Sequence, residues 1–451
     1  MKNEKLTLDI TDMTPEGDGI GKIDGRVYFV PRACTGDRAE ILVLKDLKSK
    51  SYAKLLSLEK PSPNRIDPEC LYFEKCGGCA FQNINYDYEA SLKRSFVENA
   101  FRRIGHLDCK ISETVKGNPD FYRNKVQYPF ACDENGKCVF GYYSRRSHRI
   151  IKHDFCMLQD RVFTDIASFC AEKCDFLNIK AYDEAKNTGS LRHAVMRKNR
   201  RNEIMLCLVV TDAENKLYNE LAKDIQKNFD CVKSVFLNEN KRKDNVIFGD
   251  KTVCISGEKY LTDVLCGKNY RLSPRSFYQV NADMAEKLYN IAKEKAALKD
   301  NEILLDLYCG VGTVGISIAE DSNRLCGVEI IEDAVSDAKQ NARLNGRTDE
   351  NTLFVCGDAS SGVEKCREKF GSPDVIVVDP PRKGLSGEVI DMICRADPKR
   401  VVYISCNPST LARDCADFAE KGFSAGEITP VDMFPRTGHI ECVAALENKN
   451  I

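Results

Sequence analysis

The sequence predicts an α/β chain in three parts: a small β-barrel, a mixed α+β middle segment, and a C-terminal doubly wound parallel sheet. Three observations carry this. Short alternating strand patterns recur through residues 1–60. A compact cysteine group at Cys70, Cys76 and Cys79, with Cys156 far downstream, sits in a segment that mixes strand-like and helix-like runs. From residue 303 a strand meets a glycine-rich turn, and later strands end in polar residues.

At 451 residues the chain is long enough for several domains. Hydrophobic content of 43% and charged content of 30% suit a globular protein with real cores. The apolar runs are far shorter than a membrane span, and the N-terminal Met-Lys-Asn-Glu-Lys lacks a signal-type apolar stretch. A cytoplasmic monomer with no membrane partner is expected. The net charge of −1 excludes a global basic field, so any nucleic-acid surface must be local. Candidates are Arg145-Arg146-Ser147-His148-Arg149 and Arg197-Lys198-Asn199-Arg200-Arg201, set against the plainer reading of solvated faces. In a reducing compartment the 22 cysteines are not a disulfide framework.

Residues 1–60 give strands near 6–10, 26–31, 39–44 and 52–58, with a Gly-rich turn at 16–21. Short strands at this spacing predict a closed barrel. The stretch from Gly17 through Gly36-Asp37 resembles the TRAM domain, an OB-like RNA-binding barrel. Lys45, Lys48, Lys50 and Lys54 with Tyr52 would suit that role. Pro61-Ser62-Pro63 reads as a linker.

Residues 61–266 form the middle segment. Four cysteines, Cys70, Cys76, Cys79 and Cys156, suit zinc or an iron–sulfur cluster. Zinc more usually shows two Cys-x2-Cys pairs, and one is present here. Arg123, with Asn124 and Lys125, offers donors for phosphates or bases; the alternative is a surface turn entering a strand.

Residues 267–451 hold the chemistry. A strand at 302–308 runs into Cys309-Gly310-Val311-Gly312-Thr313-Val314-Gly315, and Glu329 ends the next strand. Glycines allow close backbone approach, and an acid there binds ribose hydroxyls. Both dinucleotides and S-adenosylmethionine (SAM) use this Rossmann-like arrangement. Asp306, inside the strand before the glycines, favours SAM. Further strand ends carry Asp358, Asp379 and Cys406.

Asp379-Pro380-Pro381-Arg382-Lys383-Gly384, the run from Ser405-Cys406-Asn407-Pro408 to Asp414, and Phe434-Pro435-x-Thr437-x-His439-Ile440-Glu441 together resemble the RNA (uracil-5-)methyltransferase family. With the barrel and the Cys-Gly-Gly-Cys spacing, the resemblance covers nearly the whole chain and points to the 23S ribosomal RNA branch. It implies SAM as cofactor and a [4Fe-4S] cluster on Cys70, Cys76, Cys79 and Cys156. It implies Cys406 as the nucleophile that adds to uracil C6, and Glu441 as the base that removes the C5 proton. It places an element like Tyr122-Arg123-Asn124-Lys125 near RNA. Gln279, Tyr308, Glu329 and Asp358 are expected to contact SAM, with Gly310 and Gly312 shaping its loop. Asp379 is expected at the uracil edge and beside the cofactor, and Phe277 as a stacking platform or a core aromatic.

Two rival readings remain. An NAD-dependent iron–sulfur oxidoreductase leaves Cys406 and Glu441 unexplained. An inactive RNA-binding module conflicts with an intact nucleophile, base and cofactor loop.

Overall fold

The computed structural model describes residues 2–145 and 147–450; Arg146, within the first basic run, lies outside them. Strands Lys5–Met13, Asp18–Ile23, Arg26–Pro31, Lys50–Lys60 and Arg38–Asp46 close, in that order, into a barrel around Leu8, Ile10, Tyr28, Val30 and Ile41. The segment expected as a Gly-rich turn is mostly the strand Asp18–Ile23. Its glycines serve packing: a Cβ on Gly19 would stand 2.8 Å from the Ala33 Cβ, and one on Gly21 2.5 Å from Leu8 Cδ1. The turn itself is shorter and closes at Gly17, where φ is +79°. Residues 61–63 are docked, not free. Asp37 accepts from the Ser62 N–H at 2.9 Å and pairs with Arg65 at 2.6 Å.

The middle segment builds a seven-stranded sheet from Lys251–Gly257 at one edge to Ile150–Lys152 at the other. Helices Arg161–Phe176 and Leu217–Asn228 cover it. The helix Tyr86–Ala100 faces elsewhere. Its Val97 and Ala100 join the same core as the C-terminal sheet.

That C-terminal sheet has eight strands among the described residues, and its order fixes the site. From Ile303–Leu307 the chain winds outward through Arg324–Glu329 to Thr352–Cys356. It then returns to the other side of Ile303–Leu307 through Val375–Val378 and Arg400–Ser405. The reversal between Ile303–Leu307 and Val375–Val378 opens a crevice at the carboxyl ends, where doubly wound sheets bind ligands. Next to Arg400–Ser405 lies Glu441–Asn448, running antiparallel with Ser405 opposite Cys442. That register sets the first residue of one strand, Glu441, beside the residue leaving the other, Cys406. No helix among the described residues is long and apolar enough to cross a membrane.

Candidate active site

Cys406 follows the buried run Val401-Val402-Tyr403-Ile404-Ser405 and precedes the helix Pro408–Glu420. Asn407 caps that helix by accepting from the Ser409 N–H at 3.1 Å, and Pro408 suits its first turn. The Asn407 amide donates to the Arg382 carbonyl at 3.0 Å, tying the Cys406 turn to the Asp379-Pro380-Pro381-Arg382 loop.

The charges follow from this crowding. Burial pushes the Asp379 carboxyl up to about 7. Burial, then Asp379, raises Glu441 to about 8, with the Arg382 guanidinium opposing. Burial, then Glu441 and Asp379, raises the Cys406 thiol to about 11, and Arg382 again opposes. At pH 7 roughly one Cys406 in 10⁴ is thiolate, so a nearby cation or base must assist its ionisation. Alkylation of the Cys406 peptide, followed by mass spectrometry, should therefore accelerate about tenfold per pH unit between pH 7 and 9. A plateau in that range would contradict the assignment.

The cofactor crevice is built on the strand Ile303–Leu307. Tyr308 leaves it at φ +67°, a left-handed conformation uncommon for a residue with a side chain, and Gly310 and Gly312 follow at +54° and +83°. A Cβ on Gly310 would meet nothing within 4 Å, so its backbone faces open space. The Gly310 N–H donates to Glu329 Oε2 at 3.1 Å. Asp306 Oδ2 accepts from the Gly315 N–H at 2.8 Å, while its buried Oδ1 has no partner. Burial lifts Asp306 to about 8. With Asp379 and Glu329 also felt there, this crevice favours a cation. Gln279 is buried and faces the Tyr289 phenol, which also feels the charge of Asp379 and meets Thr313 Oγ1 of the glycine loop at 3.2 Å. Asp358 accepts from the Ser361 N–H at 2.8 Å and thereby caps the helix Ala359–Phe370. Ile330 and Ile331, just after Glu329, are 74% and 58% exposed, an apolar wall on which a planar base can lie. The orphaned Asp306 oxygen, the open glycine backbone, the ribose-type acid and this wall fit SAM.

Cys406 and Arg382 open into a cleft of about 740 Å³ shared with the other two parts of the chain. Gly77, Gly78 and Cys79 line it, as do Glu16, Arg103 and Arg145. Arg382 Nη2 lies 3.2 Å from His439 Nδ1. Sequence patterns assign no role to Arg103, Arg382 or His439. Arg382 directly follows Asp379-Pro380-Pro381, and that is the one signal that could have found it. Arg145, from the first basic run, donates to the Glu16 carbonyl at 2.8 Å. The second run is split: Arg197 and Asn199 are buried, while Arg200 and Arg201 are exposed, Arg200 pairing with Asp283 and Glu286. Phe277 is 69% exposed, which removes the core-aromatic reading.

Cys70, Cys76, Cys79 and Cys156 line a separate cavity of about 340 Å³ with Arg123 and Lys125. Arg123, expected at the RNA, thus borders the thiols, though its charge also reaches His439. Among the described residues no three His, Cys, Asp or Glu groups are gathered as a single metal ion would need. The thiols nonetheless interact: burial and the other three raise Cys79, and burial, Cys76 and Cys70 raise Cys156 to about 11. The Gly78 N–H donates to Cys76 Sγ at 3.4 Å. Gly77 is needed less for a metal than for the strand edge, since its Cβ would stand 3.0 Å from the Tyr143 carbonyl oxygen.

Comparisons with known proteins agree with this arrangement. A family model described as tRNA (Uracil-5-)-methyltransferase matches residues 251–449, and the TRAM domain model matches residues 1–56. A protein of Oceanobacillus iheyensis named an uncharacterized RNA methyltransferase is 38% identical, covering 99% of this chain and 97% of its own. One from Halalkalibacterium halodurans with the same description is 40% identical over 100% and 98%. The solved Pyrococcus abyssi tRNA (uracil-54, C5)-methyltransferase in complex with S-adenosyl-L-homocysteine has a TM-score of 0.77 and 26% identity, covering 98% of this chain and 100% of that one. Because that match takes in the barrel, a barrel does not by itself separate ribosomal from transfer RNA as substrate. The sheet order, the cation-favouring glycine crevice and these relatives lead to one conclusion: the chain belongs to the RNA (uracil-5-)methyltransferase family, a SAM-dependent RNA-modifying enzyme with an N-terminal TRAM domain.

Proposed function

We propose that the enzyme, acting in the cytoplasm, methylates C5 of a uridine in 23S ribosomal RNA through a covalent bond between Cys406 and uracil C6. The observation that carries this is the antiparallel register that sets Glu441 beside Cys406, with Asp379 adjacent. The target base must leave its stack to enter the cleft, and exposed Phe277 offers a ring for a neighbouring base. Asp379 bonds the uracil edge. Cys406 Sγ adds to C6, and C5 gains the electron density of an enolate. When bound, SAM would supply an electrophilic methyl group to C5, the S–CH3 bond breaking to leave neutral S-adenosyl-L-homocysteine. C5 then carries both methyl and hydrogen, Glu441 takes that proton, and the C6–S bond breaks, returning the electron pair to sulfur.

The ribosomal assignment rests on the resemblance of the barrel and cysteine set to the ribosomal branch. The solved Pyrococcus structure, a transfer RNA enzyme by name, favours a second reading in which the substrate is a transfer RNA. Mapping 5-methyluridine in RNA from a deletion strain decides: loss confined to 23S RNA supports the proposal, and loss confined to transfer RNA refutes that part of it.

We also propose a [4Fe-4S] cluster on Cys70, Cys76, Cys79 and Cys156. The support is that four thiols line one cavity, flanked by Arg123 and Lys125. Anaerobically purified protein should be brown and contain iron and sulfide. Stoichiometric zinc without iron would refute this.

A further inference from the structure

The loop that ends at Glu441 is held to an unusual degree. It leaves the short strand Thr429–Val431, and Val431 pairs directly with Glu441. Asp432 is thus one residue from the base's cross-strand neighbour. Four consecutive main-chain carbonyls then each take a donor from a different segment. The Met433 carbonyl accepts from the Asn281 amide at 3.1 Å, and the Phe434 carbonyl from Lys93 Nζ at 3.2 Å. The Pro435 carbonyl accepts from the Tyr122 hydroxyl at 3.0 Å. The Arg436 carbonyl accepts from the Ala80 and Phe81 N–H groups at 2.8 and 3.1 Å, immediately after Cys79. Arg436 itself sits at φ +67°.

Charge fixes the start of this loop. Lys93, fully buried on the helix Tyr86–Ala100, reaches Asp432 at 2.7 Å and Glu89 at 2.8 Å. Glu89 Oε1 also accepts from the Arg436 N–H at 2.7 Å. Lys93 and Arg436 balance Glu89 and Asp432; Lys93, Glu89 and Asp432 are fully buried, and Arg436 is half-buried beside them. Such a cluster is a poor way to gain stability, because desolvation offsets the attraction. It is a good way to hold one geometry.

We propose that Lys93, with the donors Tyr122 and Ala80-Phe81, positions the catalytic base, so that the cysteine-bearing segment sets the step that releases methylated RNA. This rests on Glu441 being the base. The segment also lines the cleft into which Cys406 opens, but its hydrogen bonds run to the main chain that leads into Glu441, so the clamp acts on proton removal after methyl transfer. A misplaced base of about 1 Å costs roughly 10²-fold in rate.

The test uses the full-length enzyme, labelled SAM and total RNA from a deletion strain. Lys93→Met should slow turnover by about that factor and accumulate a methylated protein–RNA adduct. In a Glu441→Gln background it should add nothing further to the release defect, since both act through one group. Tyr122→Phe removes one clamp donor without unpairing a charge. It should show a smaller defect in the same step, and it carries the test if Lys93→Met does not fold. Normal release in both variants would overturn the proposal, as would a Lys93→Met effect of equal size with and without Glu441. If Glu441→Gln itself traps no adduct, the base assignment has failed; if it does and neither clamp variant does, the clamp has failed.

Discussion

Cys406→Ala is expected to remove methylation almost entirely, by roughly 10⁵–10⁶ in rate, the scale at which enzymes lose a covalent nucleophile. Uracil C5 is too weak a nucleophile to attack a methyl sulfonium unaided. Without the Sγ–C6 bond no other group here supplies the missing electron density. The loss should be confined to chemistry. Cys406 lies on the strand Arg400–Ser405 side of the crevice, while the glycines that approach the cofactor follow the strand Ile303–Leu307. Equilibrium binding of labelled SAM to this variant should match wild type. Substantial turnover would remove the covalent mechanism; lost SAM binding would mean that Cys406 shapes the cofactor site instead.

Glu441→Gln should slow turnover by roughly 10²–10⁴, the usual cost of losing a positioned general base. Its pH behaviour is equally specific. The ordinary glutamate value of 4.5 is raised to about 8 by burial and Asp379. Since the folded value exceeds the unfolded one, this group's contribution to stability is fully present below 4.5. It is lost as pH rises through about 8. At pH 8 the neutral amide should therefore melt higher than wild type, while release is slower. Loss of both activity and stability would mean that the side chain chiefly holds the strand end. Because Glu441 acts after methyl transfer, its ionisation should show as a rise of kcat with pH, while kcat/KM, which ends at the transfer, should not report it.

Much of this site could be read from sequence because doubly wound sheets collect strand ends at one edge. Asp379 and Cys406 follow strands rich in β-branched residues, Glu329 ends its strand and Asp306 lies one residue before the end of its own, so one rule located them all. Glu441 was legible only by resemblance. Its position depends on an antiparallel pairing with Cys442 opposite Ser405, which no local pattern encodes. The same limit hid the Lys93–Asp432 pair, whose partners lie 339 residues apart. Where a local rule misled, packing had overridden it. Gly19 and Gly21 looked like turn residues and are strand residues kept small by Ala33 and Leu8. Asp358, expected at the cofactor, also caps a helix. Arg123, expected at RNA, also lines the thiol cavity. The identity of the target RNA is written in no single residue, since a cleft of cations and backbone reads RNA shape and charge before sequence.

If Cys406 and Glu441 act in succession on one base, the intermediate between their steps can be caught. A denaturing gel would compare wild type, Cys406→Ala and Glu441→Gln after incubation with methyl-labelled SAM and deletion-strain RNA. A labelled, nuclease-sensitive protein–RNA band should accumulate in Glu441→Gln, be faint in wild type and be missing in Cys406→Ala. A Glu441→Gln enzyme that turns over normally and traps no band, or a band that persists without Cys406, would contradict that succession.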